Sequence, residues 1–221
     1  MDAAVLVAAG RSARFGGIKK EYRPLGSGIV LDAALRTLLS LPTLGKLALA
    51  LPPGELDEAR KRLAPDLAAE EGTRLVLVEG GAERSDSVRL ALEALERWSP
   101  ELALVHDAAR PWATRELCLS VLALAGEKGA ALPVVPPVDT IKRVDAEGRV
   151  LEHPTRASLG AAQTPQGFRF APLLDAHRRA ARDGVPSTDD SELWARYEGP
   201  VFTVAGERSN RKITFPEDLE P

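Results

Sequence analysis

The sequence predicts an α/β fold: a mostly parallel sheet with flanking helices, from which a β-hairpin arm protrudes. Three observations carry that prediction. Apolar runs of strand length alternate with longer stretches of helical period, which is the signature of βαβ units. Several of these runs are nearly continuous Val, Leu and Ala, as strands covered on both faces must be. After Val138 the rhythm changes to a short charged ribbon around a turn.

Taken in order, the strand-like runs are Ala3–Ala9, Lys46–Leu51, Arg74–Glu79, Leu102–His106 and Ala130–Val135. Between them, Val30–Leu41, Glu55–Leu63, Arg84–Trp98 and Thr114–Glu127 place apolar residues three and four apart, so they read as crossover helices. Thr140–Val144 and Arg149–Glu152 then flank Asp145–Gly148, a turn with glycine at its end. An isolated two-stranded ribbon is marginal, so this arm is expected to pack on something else, a partner subunit being one candidate. Helices near Ala171–Arg182 and Asp190–Tyr197, with short strands at Val201–Val204 and Lys212–Thr214, complete the pattern. With no internal repeat and no low-complexity linker, residues 1–221 read as one domain with the arm inserted at about 138–157.

Composition narrows the function. The 221 residues are 44% hydrophobic and only 5% aromatic, so the core is built from Ala, Val and Leu. Lys and Arg number 29 against 32 Asp and Glu, and neither half is basic, which argues against a nucleic-acid partner. The first apolar run is too short to span a membrane and lacks the basic start of a secretion signal. The expectation is a soluble, cytoplasmic chain with no membrane partner. Cys118 is the sole cysteine and no Cys or His pair stands at ligand spacing, so neither a disulfide scaffold nor a zinc site is expected.

Three segments at predicted strand ends can carry chemistry. The first, Ala8-Ala9-Gly10 followed by Arg11, Ser12, Ala13 and Arg14, offers small residues through which backbone N–H groups can approach phosphate oxygens. It matches neither the P-loop nor the dinucleotide fingerprint, and it reads equally as a solvated Gly/Arg turn. Its fixed charges, on Arg11, Arg14, Lys19 and Lys20, suit a polyphosphate better than a dinucleotide. The second runs from His106 and Asp107 through Ala108 and Ala109 to Arg110 and Pro111. It either sets a carboxylate and a guanidinium in one crevice, as a Mg²⁺–phosphate pair requires, or closes a loop with an ion pair. His106 reads as a strand-end residue, with no nucleophile nearby. In the third, Gly80 and Gly81 precede Ser85 and Ser87, either of which can bond a nucleoside or cap the following helix.

The residues Ala8 to Arg14, Lys20, Gly80-Gly81, His106 to Pro111, Asp139 to Lys142, Thr164-Pro165-Gln166, Thr188-Asp189 and Lys212 to Thr214 together resemble the 2-C-methyl-D-erythritol 4-phosphate cytidylyltransferase family. The likeness covers essentially the whole chain, in the family's order. It implies a Rossmann-like sheet, an arm reaching across a homodimer, CTP as donor, methylerythritol phosphate as acceptor and Mg²⁺ on the CTP phosphates. By this resemblance Arg14 and Lys20 stabilise charge as pyrophosphate leaves, and Arg156 and Lys212 hold the attacking phosphate. Thr140, Arg110, Asp107, Thr164 and Thr188 match positions around that acceptor, with Asp107 also beside the metal. Ala8, Ala9, Gly10, Gly81, Ser87 and Ala108 match the CTP pocket. Arg156 and Thr140 lie on or beside the arm, where they can serve the neighbouring subunit. Lys19, Glu21 and Ala82 depart from the family's usual Pro, Gln and Asp at those positions.

The expected reaction is in-line attack of the acceptor phosphate on the α-phosphorus of CTP, which needs positioned charge and no general base. A cytidylyltransferase for a pentitol phosphate such as ribitol 5-phosphate shares fold and motifs. A non-catalytic nucleotide-binding regulator is the alternative from another class.

Overall fold

Strands that are apolar at nearly every position must be covered on both sides, and helices supply that cover here. The computed structural model describes residues 1–10, 15 and 19–219. The first half runs β1 (Asp2–Val7), the short pair β2 (Pro24–Leu25) and β3 (Gly28–Ile29), α1 (Val30–Leu39), β4 (Leu44–Leu51), α2 (Leu56–Arg62), α3 (Pro65–Ala68) and β5 (Leu75–Glu79). Next come α4 (Arg84–Leu95), β6 (Leu102–Asp107), α5 (Arg115–Lys128) and β7 (Ala130–Val135). The rest is β8 (Arg143–Val144), β9 (Val150–Glu152), β10 (Ala161–Ala162), β11 (Gln166–Arg169), α6 (Phe170–Asp183), α7 (Asp190–Tyr197) and β12 (Phe202–Ala205).

The main sheet is Rossmann-like. Strands β6, β1, β4 and β5 lie side by side and parallel, and β12 runs parallel to β7. Period-two alternation sorts their side chains. Leu6, Leu47, Leu49 and Leu104 face α1 and α5, whereas Val5, Ala48, Ala50 and Val105 face α4, α6 and α7. Both sets are buried, so the middle of each strand is apolar on both faces.

Two features depart from the predicted pattern. β11 slots antiparallel between β6 and β7, and β10 also pairs antiparallel with β7. Gln166 to Arg169 contains a single large apolar residue, Phe168, so no apolar run announces a strand there. Pairing on both edges holds it, together with Gly167, where a Cβ would stand 2.8 Å from a Val121 methyl of α5. The short strand expected at Lys212–Thr214 does not form. The Ile213 N–H donates to the Ala109 carbonyl (2.8 Å) and the Ile213 carbonyl accepts from Lys20 Nζ (2.9 Å), so a loop and a side chain take this backbone.

The arm is an antiparallel β8–β9 ribbon. Its turn is closed by Asp145, whose Oδ1 accepts the Arg149 N–H at 2.8 Å. Val144 and Leu151 remain 54% and 47% exposed, so the described residues leave these apolar groups of the ribbon uncovered.

His106 fastens the end of β6. Its Nε2 lies 3.1 Å from the Arg110 carbonyl, which can only accept, so Nε2 carries the proton. Nδ1 therefore accepts from the Thr164 hydroxyl (2.9 Å), whose oxygen in turn accepts the Asp107 N–H (3.0 Å). Full burial pushes the imidazole pKa from 6.5 down to about 4, against the weaker pull of Asp107, and keeps the ring neutral. Unfolded, the same histidine takes up a proton as pH falls through 6.5, while the folded one refuses it until about 4. Stability should therefore decline across that window, by about 3 kcal/mol from this group. Urea titrations at stepped pH will show the decline in the wild type and a flatter acid limb in His106→Gln.

Candidate active site

From β1 the chain winds through β4 to β5 on one side, then returns to place β6 on the other side of β1. At such a switch point the loops leaving adjacent strand ends diverge and open a crevice beyond their carboxyl ends. A cavity of about 460 Å³ lies there. Val7, Ala9 and Gly10 line it at and after the end of β1, Gly81 to Arg84 and Ser87 after β5, and Asp107 and Ala109 at the end of β6, with Phe15, Lys20, Glu21, Lys212 and Thr214 completing the wall.

Close packing of small residues shapes this wall. A Cβ on Gly80 would stand 2.6 Å from Ser87 Oγ and 2.7 Å from the Ala9 Cβ, so only glycine lets the two loops touch. Ser87 is buried, and its Oγ accepts the Gly81 N–H and donates to the Glu83 carbonyl, both at 3.1 Å. It therefore staples the glycine loop onto α4. Glu83, not a serine, occupies the cap position of that helix.

Asp107 is the electrostatic centre. Only 8% of the residue is exposed, and both carboxylate oxygens are engaged: Oδ2 by Lys212 Nζ at 2.6 Å and Oδ1 by Arg84 Nε at 3.2 Å. Burial alone would raise its pKa, but the Arg84 guanidinium and the Lys212 ammonium outweigh it and hold the carboxyl well below the usual range. Arg84 reaches further, to Asp190 Oδ2 at 2.8 Å. Burial opposes its charge as well, yet Asp190 and Asp107 together raise its pKa. Among the described residues no three His, Cys, Asp or Glu side chains form a metal cage. A hard cation beside Asp107 would take most of its ligands from a bound phosphate chain, as Mg²⁺ commonly does.

Of the residues singled out from sequence, Ala9, Gly10, Lys20, Gly81, Ser87, Asp107 and Lys212 meet at this cavity. Ala8 and Ala108 stand behind the wall, their N–H groups donated to the Ala50 and Val7 carbonyls. Thr164 is buried beneath Asp107. The expected pairing of Asp107 with Arg110 does not occur. Arg110 donates from Nη1 to the Asn210 carbonyl (2.7 Å), so it braces the segment leading to Lys212 instead of facing the cavity. Lys19 turns to Glu55 at 3.1 Å. Thr140, Arg156 and Thr188 are exposed and do not line the cavity of a single chain. Arg11 and Arg14 lie outside the described residues. Sequence reasoning missed Arg84 as a site residue. Its place directly after the glycine loop was visible, but its partner Asp190 is remote in sequence.

A sequence model of the family described as IspD, 2-C-methyl-D-erythritol 4-phosphate cytidylyltransferase, matches residues 3–221. Among curated proteins, the bifunctional enzyme IspD/IspF of Rhodopseudomonas palustris (strain HaA2) is 43% identical over 220 residues, covering 98% of this chain and 53% of that protein. The chain thus spans about half the length of the curated relatives it matches. The solved 2-C-methyl-D-erythritol 4-phosphate cytidylyltransferase of Thermus thermophilus is 37% identical, with a TM-score of 0.77, covering 99% of this chain and 96% of that one. The 4-diphosphocytidyl-2C-methyl-D-erythritol synthase of Anaerococcus prevotii is 28% identical with a TM-score of 0.86, covering 99% and 92% respectively. With the family's pattern matched from end to end, and two solved relatives sharing the fold over nearly their whole length, the chain belongs to the 2-C-methyl-D-erythritol 4-phosphate cytidylyltransferase family.

Proposed function

We propose that the chain transfers the cytidylyl group of CTP to 2-C-methyl-D-erythritol 4-phosphate, giving 4-diphosphocytidyl-2-C-methyl-D-erythritol and pyrophosphate. The observation that carries this reading is the cavity itself. It gathers Lys20, Lys212 and Arg84 around Asp107 at a switch point walled by small residues. Family membership and the likeness to the Thermus thermophilus enzyme supply the substrates.

An oxygen of the acceptor phosphate forms a bond to the α-phosphorus as the bond to the β-phosphate oxygen breaks, and that electron pair leaves with pyrophosphate. The nucleophile is already anionic near neutral pH, so no base has to remove a proton. What the protein must supply is alignment and fixed positive charge. Lys20, with Arg14 by the family pattern, stabilises charge on the phosphates in the transition state. The Lys20 carbonyl partner at Ile213 places it beside the segment that carries Lys212. Lys212, tethered to Asp107, and Arg156 hold the acceptor phosphate. Ala9, Gly10, Gly81 and Ser87 line the nucleotide's wall, while Ala8, Ala108 and Thr164 set its shape from behind. Were Mg²⁺ bound with CTP, Asp107 is the residue that would stand beside it, and the ion would supply neutralisation of phosphate charge.

Thr140, Arg110 and Thr188 belong to the acceptor's surroundings by the family pattern, Arg110 through its brace on the Lys212 segment. Thr140 and Arg156 stand beside the arm, whose Val144, Val150 and Leu151 are exposed. A homodimer in which the arm covers these apolar groups would deliver both residues to the neighbouring cavity. Phosphorylated, membrane-impermeant substrates fit a cytoplasmic setting.

Pyrophosphate release should occur with CTP, Mg²⁺ and methylerythritol phosphate, and should be absent with ribitol 5-phosphate or when ATP or GTP replaces CTP. Release with the pentitol alone would move the protein to a different acceptor. In the same assay, Lys20→Ala should lower kcat by about a hundredfold, the usual scale for one preorganised charge. For the arm, light scattering should report a dimer, and Val144→Asp with Leu151→Asp should yield monomers with reduced turnover. A wild-type mass that stays monomeric at all concentrations would remove the arm from the mechanism.

A further inference from the structure

Arg84 opens α4 beside the cavity, and its guanidinium is held from two sides. Nη1 lies 2.8 Å from Asp190 Oδ2, and Nε lies 3.2 Å from Asp107 Oδ1. Asp190 does not line the cavity: it is the first residue of α7 and is 1% exposed. Its second oxygen stands 3.2 Å from His177 Nε2, on α6, which is equally buried. A line of alternating polar groups thus runs from the α6–α7 packing through Arg84 and Asp107 to Lys212.

Burying a carboxylate in a helix packing surface is weak support for stability, because desolvation offsets most of the Coulomb gain. The arrangement does something else. A guanidinium is a rigid planar fork that meets two carboxylates from separate nitrogens in fixed directions, whereas an ammonium offers all its donors from one rotating atom. With Nη1 held by Asp190 and Nε by Asp107 Oδ1, the guanidinium is fixed between the two carboxylates, and the other Asp107 oxygen stays with Lys212 at 2.6 Å. Released from Asp190, the fork would be free to turn fully onto Asp107 and compete with Lys212 for it.

We infer that Asp190 is a positioning residue for the transfer, acting from outside the cavity through Arg84 on Asp107 and thereby on the Lys212 ammonium. This rests on the cytidylyl-transfer reading above. Mutation of Asp190 should then impair the acceptor side of the reaction while leaving CTP binding nearly intact. Its effect should also vanish when Arg84 is already gone.

The test is a double-mutant cycle on Asp190→Asn and Arg84→Ala, with kcat and both KM values measured alongside thermal melts. Asp190→Asn should lower kcat/KM for methylerythritol phosphate about tenfold or more, with the CTP KM changed less than about threefold. Added to Arg84→Ala, it should change kcat/KM by less than about twofold, the non-additivity expected of residues acting as one unit. Effects that simply add, or an Asp190→Asn enzyme with wild-type kinetics per folded molecule, would overturn the proposal. Should Asp190→Asn fail to fold, Arg84→Lys replaces it: it keeps the charge but loses the rigid fork that fixes Asp107 against Asp190, so the acceptor kcat/KM should fall similarly, and wild-type values would overturn the role. A wild type that transfers to no acceptor would defeat the transfer reading and this proposal with it. An active wild type with unaffected variants would defeat the proposal alone.

Discussion

A carboxylate as buried as Asp107 keeps its charge only where cations meet it, and much of the molecule is arranged around meeting that requirement. Lys212 comes from the far end of the chain and Arg84 from the start of α4. Thr164 accepts the Asp107 N–H and donates its hydroxyl hydrogen to His106, so the backbone of the same residue is pinned from the β10–β11 connection. The C-terminal segment can reach across because its polar groups are satisfied on the way. Asn210, fully buried, donates to the Thr164 carbonyl at 2.9 Å and accepts from Arg110, and Ile213 bonds to Ala109. One ionised group thus ties together β6, α4, the strand inserted antiparallel beside it and the terminal segment.

The sheet makes this arrangement possible. Strands packed on both faces are hard to displace, so the loops at their carboxyl ends start from fixed points. The loops beyond β1 and β6 part there, and small residues line part of the opening. Ala9, Gly80 and Ser87 approach closely, so this part of the wall is built from small residues that a phosphate or nucleoside can lie against. Cations then enter from outside the sheet, from Lys20 on one loop and Lys212 on another. The site combines small residues on fixed strand ends with long cationic side chains around a buried carboxylate, an arrangement suited to transfer between phosphates.

A single chain does not bring every residue of the family pattern to the cavity. Arg156, Thr140 and Thr188 project from exposed segments, and the ribbon that carries or adjoins two of them shows its apolar side chains to solvent. Such a ribbon is too small to be stable by its own packing. A second copy of the chain would remove both deficits at once.

Strands and helices of the wound core were legible because burial on two faces leaves a local record: continuous Val, Leu and Ala for β1, β4, β6 and β7, and three-and-four spacing for α1, α4 and α5. The glycine loops and Asp107 were legible as small or polar residues at the ends of those runs, and Lys20 and Lys212 through the family resemblance. β11 was not, because its stability comes from neighbours on both edges and its four residues carry only one large apolar side chain. Nor was the partner of Asp107. Sequence proximity favoured Arg110, three residues on, but the turn after β6 directs that guanidinium to Asn210, and the cations that arrive at Asp107 come from Arg84 and Lys212. Periodicity and turn chemistry are short-range and are written in the order of residues. Which charges meet is decided by long-range packing, and only the tertiary structure could bring Arg84, Asp107, Asp190 and Lys212 into one line.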